Sequence, residues 1–192
     1  MDENSYNGAR NIITEKLMVF LPYAGLTIVI AAAFIIQTAR IDVPALIKYV
    51  LVLILGYIAA INDIKTKKIP NSLILVMLGG WIAMSVPAIL LNTEAAIESL
   101  IESAFGFASG GGLFLIVYLI SHKSLGGGDV KLMACVGLYL GFSGILAVML
   151  WGTILAALTG LVLILFRKIG HKDSIPLAPF LYIGILIAVF FV

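Results

Sequence analysis

Long apolar stretches separated by short polar or glycine- and proline-containing breaks make up most of the chain after residue 16. An α-helix needs about 20 apolar residues to cross the hydrocarbon core of a bilayer. The pattern therefore predicts an all-α fold, a polytopic transmembrane helical bundle of about six to seven segments. The predicted segments are 17–37, 44–62, 71–91, 99–120, 130–140, 144–166 and 176–192.

Two of the breaks have a clear local cause. The Ile-Pro-Asn sequence at 69–71 opens the third segment, because proline suits the first turn of a helix and disfavours helix in the residue before it. The apolar stretch 130–166 is nearly twice a span, and the Gly-Phe-Ser-Gly sequence at 141–144 predicts the corner that divides it. The segment before this corner is short for a bilayer, so we expect it to cross where the membrane is thinned.

Composition agrees with this pattern and excludes several kinds of site. The chain is 62% hydrophobic and 11% charged, with a mean hydropathy of +1.16, whereas soluble domains are about 25% charged. It is therefore an integral membrane protein with no expected nucleic-acid partner. The single cysteine, Cys135, excludes a disulfide within the chain, and the two histidines lie far apart in sequence. We expect neither a metal nor a cofactor.

Basic residues predict the orientation, since lysine and arginine are enriched on the cytoplasmic side of membrane proteins. With the amino terminus in the cytoplasm and alternating spans, ten of the twelve basic residues are cytoplasmic. Residues 1–16 then form a cytoplasmic tail, and 17–192 form the domain embedded in the cell membrane. Lys65, Lys67 and Lys68 are expected to enforce this orientation and to meet anionic lipid. Residues 92–98 form an outer loop without a basic residue.

Two aspartates stand at the cytoplasmic ends of predicted spans. Asp63 follows the second segment and Asp129 precedes the fifth, so both are expected at one depth although 66 residues separate them. A carboxylate at the membrane is costly enough to indicate function. Two carboxylates in one pocket of low dielectric would share a proton. The ionised partner could then activate water, while the protonated one donates to a carbonyl oxygen.

Each aspartate also has a structural interpretation. Asp129 could cap the helix that follows it, and Asp63 could be a solvated loop residue beside Lys65. The glycines at 126–128 favour the functional interpretation, because they would let an extended substrate approach the backbone closely. Other small residues at helical spacing predict close helix packing. They are Gly106, Gly110, Gly137, Gly141, Gly152, Ala156 and Gly160.

Three local sequences resemble the type IV prepilin peptidases, a family of GxGD intramembrane aspartyl proteases. They are Gly-Gly-Gly-Asp-Val-Lys-Leu at 126–132, Asp-Ile-Lys-Thr-Lys-Lys-Ile-Pro-Asn at 63–71 and Ile-Pro-Leu-Ala-Pro-Phe at 175–180. The resemblance extends over about 45–192. It implies a membrane-embedded aspartyl endopeptidase that removes the short basic leader from prepilin-like precursors at the cytoplasmic face.

The resemblance also implies roles for particular residues. Asp63 and Asp129 match the family's catalytic pair. Six further residues of the motifs are expected to bind substrate: Gly126, Gly127, Gly128, Asn71, Pro176 and Pro179.

One departure from the family pattern concerns a second activity. Many bacterial members carry a cysteine-rich insert with CxxC pairs and also N-methylate the trimmed pilin, but here only 38–43 separate the first two spans. We therefore expect a short, peptidase-only form, similar to those that serve Flp-type or tight-adherence pili. Three alternatives stay open: an archaeal-type preflagellin peptidase, a small ion or proton-coupled transporter that uses the carboxylates as a relay, and a silent scaffold of a pilus system.

Overall fold

The structure, a computed structural model, describes residues 43–121, 125–166 and 175–191. Within these ranges the chain is helical and contains no strand. Four helices are long and apolar enough to cross a membrane, and a fifth is apolar but shorter. The helices are α1 (Val43–Thr66), α2 (Asn71–Leu91), α3 (Thr93–Ile120), α4 (Gly127–Leu165) and α5 (Ala178–Phe191).

The predicted all-α, multi-pass fold is confirmed, and each of the six predicted segments between 44 and 192 has a helical counterpart. The predicted tail 1–16 and the first span 17–37 lie outside the described residues, so both stay predictions. The prediction of a loop over 92–98 was wrong, because α3 already begins at Thr93. Asn92 caps α3 by accepting a hydrogen bond from the Ala95 N–H. This cap sets the start of the helix, which the hydropathy pattern does not show.

A single glycine divides α4 into two segments. Gly141 has φ 69° and ψ −170°, a left-handed backbone conformation that glycine adopts without steric cost. The predicted division of 130–166 at this corner is confirmed. The first segment, which we call α4a, runs from 127 to 140 and the second, α4b, from 142 to 165. At about 1.5 Å per residue, α4a is roughly 20 Å long, shorter than the roughly 30 Å hydrocarbon core.

The short segment α4a forms the centre of the bundle. Every residue from 132 to 139 is buried, and all four other helices contact α4. A helix that is buried on all sides must be apolar on all sides, and this stretch is Leu-Met-Ala-Cys-Val-Gly-Leu-Tyr. Asp129 stands at the start of this central helix, so the fold places it inside the bundle.

Glycines let α3 approach α4 closely, as their spacing predicted. A Cβ on Gly106 would overlap the carbonyl oxygen of Gly137, and one on Gly110 would lie 2.6 Å from the carbonyl oxygen of Met133. The second segment, α4b, receives α5 in the same way, since a Cβ on Gly184 would lie 2.5 Å from the carbonyl oxygen of Val148. The backbones of neighbouring helices therefore touch along α4.

Two side chains of α3 hold backbone groups at the break in α4. The Ser103 hydroxyl donates a 2.8 Å hydrogen bond to the carbonyl oxygen of Leu138. The Phe142 N–H donates to the Glu102 carboxylate at 3.4 Å. A break in a helix interrupts its ladder of hydrogen bonds, and buried backbone groups there need other partners. Packing of α3 therefore fixes where α4a ends.

We expect Ser103→Ala to lower the free energy of unfolding by about 1–3 kcal/mol, because it leaves the buried Leu138 carbonyl without this donor. Ser109→Ala is the matched control, since the exposed Ser109 hydroxyl donates to the Phe105 carbonyl of its own helix. Thermal unfolding of both variants in detergent micelles checks the difference. Equal effects of the two substitutions would contradict this role of Ser103.

Candidate active site

Asp63 lies in the last turn of α1, with a side chain only 6% exposed. The Ala178 N–H donates a 3.0 Å hydrogen bond to Asp63 Oδ2, and the Leu177 N–H also bonds this carboxylate. Because Ala178 begins α5, the carboxylate sits at a helix N-terminus, where free N–H groups and the helix dipole favour negative charge. The interpretation of Asp63 as a solvated loop residue was wrong.

Asp129 is the third residue of α4 and is 7% exposed. Gly126, not Asp129, is the N-cap residue, so the predicted alternative of an aspartate cap at that position was wrong. The carboxylate reaches back to the Gly126 N–H, in the manner of the third helical residue of a capping box. Its other oxygen, Oδ1, is buried without a hydrogen-bond partner among the described residues.

The two aspartates line one cavity of about 410 Å³, and the charge of Asp63 acts on Asp129. The fold therefore brings the two residues of the predicted pair to one site. Lys67 and Ser121 add polar groups to the cavity. Its apolar walls are Val117, Leu125, Ile175 and Leu177.

The six predicted substrate-binding residues divide into two groups. Gly126 and Pro176 line the cavity, whereas Gly127, Gly128, Asn71 and Pro179 do not. Two of this second group have structural contacts. A Cβ on Gly128 would lie 3.0 Å from the Ile69 Cβ, and the Asn71 Oδ1 accepts a 2.9 Å hydrogen bond from the Lys131 ammonium. Substrate binding by all six stays a prediction.

Sequence reasoning missed the backbone donors at the start of α5. The signal was present, since two prolines three residues apart at 176 and 179 indicate the beginning of a helix and therefore free N–H groups. It also treated Lys67 only as a determinant of orientation and a contact for anionic lipid, while the structure places it on the cavity of the aspartates. No group of three or more metal-ligating side chains occurs within the described part of the chain.

We expect Ala178→Pro to slow the activity of this site roughly ten- to a hundredfold, because a hydrogen bond to a charged group contributes about 1.5–3 kcal/mol. Proline is tolerated in the first helical position, so the helix start can survive. The change removes the N–H that binds Asp63 and puts the ring carbon Cδ in its place, which also displaces the carboxylate. Ala178→Gly keeps the N–H and is the control. Initial rates of the purified variants make the comparison. A proline variant as fast as the glycine variant would exclude a role for this hydrogen bond.

Taken together, the fold and the site define a class: a multi-pass helical membrane protein with two buried carboxylates on one cavity at the ends of its helices. A family model described as the type IV leader peptidase family matches residues 49–165 of the chain. The match covers more than half of the chain, which therefore belongs to this family. The predicted family resemblance is confirmed.

Curated relatives with the name prepilin leader peptidase/N-methyltransferase match the chain, among them proteins from three organisms. The Bacillus subtilis (strain 168) protein is 28% identical over 132 residues, which cover 68% of this chain and 50% of the relative. The Legionella pneumophila protein is 32% identical over 67% of this chain and 44% of the relative. For Burkholderia pseudomallei (strain 1026b) the values are 32%, 67% and 41%. The chain thus spans half or less of these relatives. No solved structure matches it significantly.

Proposed function

We propose that this protein is a membrane-embedded aspartyl endopeptidase that removes the leader from type IV prepilin-like precursors, including those of Flp or tight-adherence pili. The placement of Asp63 and Asp129 on one cavity carries the proposal. Membership of the type IV leader peptidase family and the names of the curated relatives support the substrate class. The proposal concerns cleavage of the leader and does not extend to methylation.

The contacts of the two aspartates suggest how they divide the chemistry. Asp63, which accepts hydrogen bonds at the start of α5, is the ionised partner and takes a proton from water. The water oxygen then attacks the carbonyl carbon of the scissile bond. Asp129 carries the shared proton on its unpaired oxygen and donates it to the carbonyl oxygen. Collapse of the tetrahedral intermediate breaks the C–N bond: Asp63 passes the proton it took from water to the leaving amine, and Asp129 takes back a proton from a hydroxyl of the intermediate.

The cavity suits an extended peptide. Its walls of Val117, Leu125, Ile175 and Leu177 offer apolar contacts to side chains, and Gly126 leaves the backbone accessible beside Asp129. These lining residues support a precursor that binds beside Gly126.

We further propose that this end of the bundle faces the cytoplasm in the cell membrane, with a cytoplasmic amino terminus. The charge distribution supports this orientation, since basic residues mark the cytoplasmic side. Four lysines lie towards the aspartate end, and three glutamates lie in the first turns of α3, at the opposite end. These residues are Lys65, Lys67, Lys68 and Lys131, and Glu94, Glu98 and Glu102.

The proposal is tested by reconstituting the protein with a pilin-like precursor and reading the new N-terminus of the precursor by mass spectrometry. We expect loss of the basic leader at a single bond. An uncleaved precursor, with the protein folded and inserted, would contradict a peptidase. Proton flux into the same vesicles would favour the transporter alternative, and neither activity would favour a scaffold.

A further inference from the structure

Lys67 has an unusual backbone conformation. Its φ is 51°, and within the described ranges no other residue except glycine has a positive φ. It directly follows α1, where its N–H donates a 2.8 Å hydrogen bond to the carbonyl oxygen of Asp63. Helices commonly end on such a left-handed residue, but glycine is usual there because a Cβ makes the conformation costly. Lysine at this position therefore lowers the stability of the turn relative to glycine.

The lysine supplies something that glycine could not. Lys67 lines the cavity of the two aspartates, and its ammonium charge acts on the Asp63 carboxylate. Lys65, Lys67 and Lys68 are all exposed, and of the three only Lys67 lines the cavity. Strained backbone that persists at a functional site indicates a functional requirement for the residue that bears it.

We propose that Lys67 is a positioning residue of the aspartate pair: the left-handed turn holds its ammonium beside the cavity, where it stabilises the ionised Asp63 that takes the proton from water. This inference rests on the proposed peptidase function and adds to it a residue that acts through Asp63. It also separates Lys67 from Lys65 and Lys68, whose expected roles are orientation and lipid contact.

Few charged groups face Asp63 among the described residues. Asp129 faces it from α4, and Lys67 faces it from the end of α1. The cavity residues of α3 and of 175–177 carry no charge. Without Lys67, the two acids would have no cation among the described residues of the cavity. The ionised form of Asp63 would then lose its stabilisation by this charge.

Lys67→Gly removes the ammonium charge and also relieves the left-handed backbone, so the two features of Lys67 have separate expected effects. We expect a higher Tm than the wild type, because glycine relieves the left-handed turn, together with a roughly tenfold lower kcat on the acidic side of the pH–rate profile, since a neighbouring charge shifts a pKa by about one unit or more. KM should stay near the wild-type value, and the acidic limb of the pH–rate profile should move to higher pH. Lys67→Met should lose kcat without the gain in Tm, and Lys67→Arg should restore kcat.

Lys65→Met and Lys68→Met are the matched controls, and both should cleave the precursor at the wild-type rate. Wild-type kcat in Lys67→Gly would show that only the turn matters and would overturn the inference. A raised KM with unchanged kcat would overturn it in favour of substrate binding, and equal losses in all three methionine variants would indicate general surface charge. If Asp63→Asn and Asp129→Asn still cleave, the peptidase proposal itself fails. If they are inactive and the Lys67 variants are normal, only this inference fails.

Discussion

Replacing either Asp63 or Asp129 with asparagine should reduce leader cleavage by more than about a thousandfold, because proton transfer by a positioned group contributes factors of about 10²–10⁴ and the pair acts as one unit. Asparagine nearly matches the shape of aspartate, but it can neither take a proton from water, as proposed for Asp63, nor give one to the carbonyl oxygen, as proposed for Asp129. At position 63 it can still accept the hydrogen bond from the Ala178 N–H. The fold should therefore survive while the chemistry is lost.

The measurement is the initial rate of cleavage of a pilin-like precursor by each purified variant, with Tm recorded in parallel. Glu94→Gln is the control, since Glu94 is an exposed acid at the start of α3, away from the cavity. It should cleave at the wild-type rate. An asparagine variant that retains a substantial part of the wild-type rate would show that the pair is not the catalytic dyad.

The second large effect concerns folding. We expect Gly137→Ala to lower the free energy of unfolding by about 3 kcal/mol or more, because overpacking costs typically 1–3 kcal/mol and more where the neighbour cannot move. The added Cβ would overlap the backbone of Gly106 and lie 2.9 Å from the Phe107 nitrogen. Backbone atoms inside α3 cannot turn aside as a side chain can. Separation of α3 from α4a would also open the cavity that both helices line.

Gly112→Ala, on the same α3 helix, is the matched control for this change. A Cβ on Gly112 would meet no atom within 4 Å, and alanine is favoured over glycine within a helix by about 1 kcal/mol. The two glycine-to-alanine changes should therefore have opposite signs. Unfolding in mixed micelles measures both. A Gly137→Ala protein as stable as Gly112→Ala would show that the close contact of α3 and α4 does not form.

The sequence allowed much of the fold to be predicted because its strongest signals are local. Apolar length indicates a membrane helix whatever it packs against, and the corner at Gly141 was visible as a glycine-containing interruption of one long apolar stretch. The prediction of a loop over 92–98 was wrong because a hydrogen bond, and not hydropathy, sets the start of the helix there. That stretch contains polar residues, but the Asn92 side chain caps a helix that begins at Thr93.

The candidate site shows the same division. The equal depth of Asp63 and Asp129 followed from charge bias and span count, and the local motifs resembled one family. The sequence did not predict which groups would contact the two carboxylates. The Ala178 N–H is 115 residues from Asp63 along the chain, and such a contact depends on how α5 packs against α1.

By itself, the sequence determined a multi-pass helical protein of the type IV leader peptidase family with two acidic residues at helix ends, since hydropathy, glycine breaks and motifs are properties of the chain alone. The tertiary structure alone decided that both carboxylates line one cavity, that the start of α5 holds one of them, and that Lys67 rather than Lys65 or Lys68 lines that cavity. These facts depend on the close packing of helices around α4a, where contacts between distant residues place each side chain.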